Sequence, residues 1–191
     1  MPHSRRRRDN ALIDAIEAID PVSFAAPVWR VVRDGHDATR CSRSGGRWDD
    51  GTFDVLYTSQ GRDGAISEMH FHLMRGQPIF PSLVRYRLFE IETELGRALR
   101  FLDLDALSSI GLDAARYGQL SYQEREAEYP RSQDIGEVAH FLDYDGLIVP
   151  SARHESLNVV LFCDRVPPSA MTIAKDHGLI DWVAWQRDHA T

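Results

Sequence analysis

The sequence predicts an α+β fold: a single compact domain around a central mixed or antiparallel sheet. Three observations carry the prediction. Strand-like and helix-like segments interleave without a regular βαβ alternation. The two most apolar runs, residues 146–149 and 157–162, have the length of strands rather than helices. The 191 residues, 43% of them hydrophobic and 27% charged, have the proportions of one globular domain with a real core. Residues 1–25 are expected to form an N-terminal helical extension, and residues 26–191 the domain.

Each element has its own signal. Asp9 can cap a first helix in which Leu12, Ile13, Ile16 and Ile19 recur at helical spacing, and Pro21 stops it. Residues 28–32 read as a strand entering the core. Residues 34–52 are polar and rich in Gly, Ser, Arg and Asp; connections beyond about 12–15 residues are uncommon in compact domains and are often functional. A short strand over 55–58 precedes a helix over 63–74, closed by Gly76. Residues 83–92 alternate as a strand does, and 100–104 suggest another. Residues 105–129 are charged, with weak helical patterning; Glu124, Glu126 and Glu128 suggest an exposed helix. Residues 132–142 place Ile135, Val138, Ala139 and Leu142 on one helical face. The two apolar strands follow, then a last strand near 170–173 and a short helix holding Trp182 and Trp185.

Composition excludes several functions. The net charge of −7 makes direct nucleic-acid binding a poor expectation, since such surfaces are basic. No apolar run approaches the roughly 20 residues of a membrane span. Arginine carries nearly all the positive charge, with Lys175 the sole lysine. The run Arg5 to Arg8 lacks the apolar stretch of a secretory signal and reads as a solvated terminus. Cys41 and Cys163 have neither metal-site spacing nor a disulfide framework, which suits a reducing cytoplasm. The glycine-rich nucleotide loops and the G-x-S-x-G elbow are absent. Glu68 and His72 share a helical face while His70 points elsewhere. Two converging ligands fall short of the three or four a zinc site needs, so no metal is expected.

The informative stretch is Ser42-Arg43-Ser44-Gly45-Gly46-Arg47-Trp48. Paired glycines allow a turn whose N–H groups form an anion-binding nest. Arg47 adds a planar fork suited to a diphosphate, and Trp48 an apolar anchor. A plain hairpin turn with a surface Arg fits the same residues. Arg30 alternates with Val28 and Val32, so it points inward. A buried arginine must be paired or face a ligand. Tyr57 ends the next strand, Glu68 lies in the following helix, and Ser151 and Asn158 flank the turn between the two apolar strands.

These residues resemble a known family. The segments W-R-V at 29–31, G-G-R-W at 45–48, V-L-Y-T-S at 55–59, A-I-S-E at 65–68, G-L-I-V-P-S-A-R at 146–153 and L-N-V-V-L-F at 157–162 are similar, in order, to those of RES-domain proteins. The resemblance covers residues 28–163 and leaves 1–25 and 105–130 without a motif. It implies an ADP-ribosyltransferase-like fold and the toxin of a RES–Xre toxin–antitoxin system. Such a toxin degrades NAD in the cytoplasm by phosphorolysis or hydrolysis of the nicotinamide–ribose bond. Protein mono-ADP-ribosylation is the alternative chemistry, and an inactive binding module a third reading.

The resemblance also implies roles. Glu68, Arg47 and Tyr57 are the expected catalytic residues; Arg30, Arg47, Tyr57, Ser151 and Asn158 are the expected NAD-binding residues. NAD enters as substrate rather than prosthetic group, with inorganic phosphate as a candidate co-substrate. The implied partner is an Xre-type helix-turn-helix antitoxin, through which DNA is reached indirectly, and a homodimer is a family-level expectation.

Overall fold

A computed structural model of the chain describes residues 8–74, 84–118 and 125–189. The order is α1 (Asn10–Glu17), β1 (Val22–Arg33), β2 (Val55–Ser59), α2 (Arg62–Met74), β3 (Tyr86–Arg100), α3 (Leu104–Ser109), α4 (Arg125–Phe141), β4 (Gly146–Pro150), β5 (Leu157–Phe162), a short 3₁₀ turn, β6 (Met171–Leu179) and α5 (Trp182–His189). Gly76, the expected end of α2, lies outside the described residues, as do Arg5 to Arg7.

The strands run β1-β2-β5-β4-β3-β6, and β1 also pairs with β3. The first five therefore close into a ring, with β6 laid along the outer edge of β3. The sheet is mixed: β3 and β4 are parallel, and the remaining pairs antiparallel. Period-two alternation divides the side chains. Val28, Leu56, Ile91, Ile148 and Val159 come from all five ring strands and meet in one buried cluster. Their neighbours Val55, Leu147, Val149, Val160 and Phe162 face the opposite way, against Leu12 and Ile16 of α1 and Ile135 and Val138 of α4. A third cluster seats Ile66 of α2 against Val31 and Leu88, with Trp182 and Trp185 of α5 packed on it. Fully burying an aliphatic side chain of this size contributes about 1.5–3 kcal/mol, so each helix is held by a few such residues.

Several boundaries differ from the sequence expectation. β1 begins at Val22, because Val22, Phe24 and Ala26 half-bury in alternation along β3. The strands expected over 83–92 and 100–104 merge into β3. Its burial pattern slips phase at Gly96 and Arg97, which reads locally as a break. The residues after Arg100 turn instead into α3, whose start is capped by Asp103 accepting from the Ala106 N–H at 2.8 Å. α4 starts at Arg125 and runs through Pro130. The last strand extends to Leu179. Arg8 is no frayed residue: its guanidinium pairs with Glu137 and lies over the Phe141 ring.

The cysteines depart furthest from expectation. Cys41 and Cys163 form a disulfide across a sequence separation of 122. The β2–β5 pairing explains it. Ser42 bridges to Val55 at the start of β2, and the Cys163 N–H donates to the Asp54 carbonyl at 2.9 Å beyond the end of β5. No local spacing reveals a pair created by strands so distant in sequence.

Candidate functional site

A cavity of about 440 Å³ opens where β1, β2 and β5 meet α2 and the 34–54 loop. Arg30, Arg47, Tyr57, Glu68 and Asn158 all line it. Ser151 stands behind the wall, in contact with Glu68.

Glu68 marks one end. α2 carries it toward the sheet, and the turn between β4 and β5 brings two donors to the same carboxylate oxygen. Ser151 Oγ donates to Glu68 Oε1 at 2.6 Å, and Asn158 Nδ2 donates to it at 3.1 Å. This fixes the amide of Asn158: its nitrogen faces Glu68, so its Oδ1 is left to accept. That oxygen is buried and has no hydrogen-bond partner among the described residues. Leaving a buried acceptor unsatisfied is costly, which singles it out as a place for a ligand donor. The second oxygen of Glu68, which accepts no hydrogen bond from the described residues, and Asn158 Oδ1 together form an acceptor pair suited to hydroxyl groups.

The 34–54 loop holds Tyr57 and Arg47, though not as expected. The Gly45-Gly46 turn does form an anion nest, but the chain supplies the anion. Asp49 is fully buried and accepts from the Gly45 and Gly46 N–H groups at 2.8 Å each, and from Gly51 N–H at 3.2 Å. Tyr57 closes this network: its hydroxyl donates to Asp49 Oδ2 at 2.8 Å and accepts from the Trp48 N–H at 2.9 Å. Burial, then the Asp49 charge, push the Tyr57 hydroxyl well above its ordinary pKa, so it stays protonated. Gly46 is needed for closeness: a Cβ there would sit 2.6 Å from the Tyr57 oxygen. The anion site that the paired glycines suggest is therefore already filled, by Asp49.

Arg47 is largely, though not fully, buried and pairs with Glu128 of α4. Its guanidinium lies 4.6 Å from the Tyr117 ring centroid and 4.9 Å from that of Tyr129, a cation–π setting that favours Arg over Lys. Glu128 is thus no residue of an exposed helix, as its segment suggested; its side chain is only 4% exposed. Glu124 lies outside the described residues. Arg30 points inward as alternation requires, and its Nη1 donates to the carbonyls of Ala38 at 2.6 Å and Arg40 at 3.0 Å. Burial lowers its pKa to about 10, partly opposed by Asp37.

Sequence reasoning overlooked Asp49, Glu128 and Arg153. Arg153 was visible inside the P-S-A-R segment but given no role; it too lines the cavity. The other two act through contacts that no local pattern discloses. Among the described residues, no group of three or more His, Cys, Asp or Glu is placed to hold a metal ion. His70 instead packs against Trp185 and meets Gln186 at 2.9 Å.

Residues 27–183 match the RES domain family. The chain belongs to that family. The match spans every strand and helix bordering the cavity. No curated protein matches the chain. Among solved structures, the RES domain described here is similar to a chain in the crystal structure of the M. tuberculosis MbcT–MbcA toxin–antitoxin complex. The TM-score is 0.76 at 19% sequence identity, covering 96% of this chain and 99% of that one. The likeness extends the shared α+β fold over nearly the whole of both chains.

Proposed function

We propose that this RES domain is the toxin of a toxin–antitoxin pair and consumes NAD by breaking its nicotinamide–ribose bond. The observation that carries the reading is the Glu68 carboxylate, anchored by Ser151 and Asn158 at the wall of a cavity that arginines also line. Membership in the RES family and a fold neighbour taken from a toxin–antitoxin complex support it.

The chemistry follows from the charges. As the C–N bond breaks, its electron pair leaves with neutral nicotinamide and the ribose acquires oxocarbenium character. A fixed carboxylate beside that carbon stabilises the transition state more than the ground state. Glu68 and Asn158 Oδ1 accept from ribose hydroxyls, which orients the sugar for attack on the opposite face. Water then gives ADP-ribose and a released proton; inorganic phosphate gives the 1″-phosphate ester. Ser151 positions Glu68. Tyr57, its hydroxyl committed to Asp49, offers the substrate its ring. The antitoxin would be a helix-turn-helix protein that covers the cavity and provides the link to DNA. The NAD consumed is that of the cytoplasm.

Nicotinamide release from NAD by the purified chain, with and without inorganic phosphate, tests this. Stimulation by phosphate makes it a phosphorylase, and release without phosphate a glycohydrolase. Absence of release in both, with label from NAD appearing on protein, would replace the proposal by ADP-ribosyl transfer.

A further inference from the structure

The filled nest and the committed Arg30 leave a question: which groups receive the negative charge of a dinucleotide? Arg153 answers it. It lies in the β4–β5 turn, half-buried, with its guanidinium 3.3 Å from the centroid of the Phe71 ring at the cavity wall. No carboxylate among the described residues makes an ion pair with it. Its own backbone N–H donates to Ser151 Oγ at 3.1 Å, and that hydroxyl holds Glu68. The position of Arg153 is thereby tied to that of the carboxylate.

One residue also joins the two unassigned cationic groups. Gly118 donates its N–H to Glu128 Oε1 at 2.7 Å, and Glu128 pairs with Arg47. The carbonyl of the same Gly118 accepts from Arg153 Nη1. Tyr117, beside it, lies under Arg47 and donates its hydroxyl to the Pro150 carbonyl at 2.6 Å. Gly118 has φ +76°, and a Cβ there would meet the Ala152 carbonyl oxygen at 2.7 Å. Only glycine lets this chain segment approach the β4–β5 turn so closely.

We propose that Arg153 is a substrate-binding residue which, together with Arg47, takes the diphosphate of the dinucleotide, and that Gly118 is the positioning residue that sets both arginines. The inference rests on the reading of the cavity as an NAD site. Burial lowers the Arg153 pKa, Glu68 opposes that, and Arg47 adds to it. Two cations that repel across a cavity are relieved by an anion between them, and paired guanidinium forks fit diphosphate oxygens.

The test compares wild type, Arg153→Met and Arg153→Lys, with circular dichroism and a thermal melt to establish folding. Inorganic pyrophosphate binding is followed by calorimetry and NAD turnover by nicotinamide release. Arg153→Met should weaken pyrophosphate at least about tenfold and raise the KM for NAD similarly, with kcat changed by less than about threefold. Gly118→Ala should reproduce the KM effect in weaker form. Where Arg153→Met does not fold, Arg153→Lys decides, because a point charge cannot replace the fork; a loss of at least about threefold in pyrophosphate affinity supports the proposal. Unchanged pyrophosphate binding in the folded variant, or none in wild type, overturns it. A wild type that binds pyrophosphate through Arg153 but releases no nicotinamide sinks the NAD reading and leaves the anion site standing.

Discussion

The two ends of the cavity are built by different means. At the carboxylate end, α2 presents Glu68, β5 presents Asn158 and Ser151 follows directly on β4, and these side chains bond one another directly. At the cationic end, Arg47 and Arg153 are held by residues with no chemical part of their own: Glu128, Gly118 and Tyr117. The first arrangement uses its hydrogen bonds to aim one carboxylate into the cavity. The second spends them keeping buried charge in place. Damage at the first end should therefore appear as lost rate, and damage at the second as lost stability or affinity.

The sharpest way to break this contrast is Glu128→Ala. Removing one partner of a buried ion pair costs about 3–5 kcal/mol, because the other charge stays buried. A large drop in melting temperature is expected, with partial recovery in Glu128→Gln, which keeps an acceptor for Gly118. Unaltered melting would show the cationic end to be more loosely built than its contacts imply. Glu68→Gln comes next and should act in the opposite manner. Loss of one electrostatic contact to the transition state costs about 10²–10³ in rate, with the melting curve little changed. Near wild-type nicotinamide release would remove Glu68 from the chemistry.

The disulfide provides a test outside both ends. Closing so long a loop typically contributes about 2–4 kcal/mol. Cys41→Ser and reduction of wild type by dithiothreitol should lower the melting temperature equally. The reduced protein keeps the rest of its core, so it should still fold. Tyr57→Phe is the mildest change. It leaves the Trp48 N–H and Asp49 each short of one partner, at a cost of about 1–3 kcal/mol. It also carries a pH signature. An unfolded tyrosine loses its proton near pH 10, whereas folded Tyr57 holds it to higher pH. Above about pH 10 the folded state thus binds more protons, and stability falls as pH rises. In Tyr57→Phe that alkaline slope, followed by denaturant melts at a series of pH values, should be shallower.

What the sequence disclosed follows the same division. α1, β2, β4 and β5 were legible because cap, periodicity and burial agree within each segment; Leu157–Phe162 needs no distant partner to look like a strand. Glu68, Ser151 and Asn158 lay in recognisable segments. The extent of β3 was hidden by a phase slip at Gly96 and Arg97, which only its change of partner from β6 to β4 explains. The Gly45-Gly46 nest was seen correctly as a shape but given the wrong anion, since Asp49 lies a few residues beyond the turn and its direction is a tertiary fact. Glu128 and the Cys41–Cys163 bond depend on contacts between segments far apart in the chain. Periodicity carries no information about these.

The closed ring of strands has a consequence for the order in which the molecule comes into being. β2 meets β1 at Trp29 and Ser59 alone; its long partnership is with β5, residues 157–162. During synthesis β2 must wait for most of the remaining chain to emerge before its ladder can form. Pairings of such sequence separation make for slow folding. Ser151, Arg153 and Asn158 emerge in the same stretch as β5, so a nascent chain carries Arg47 and Glu68 through some ninety residues of synthesis without a finished cavity around them. Whatever chemistry the cavity performs begins only after β5 has emerged and paired with β2.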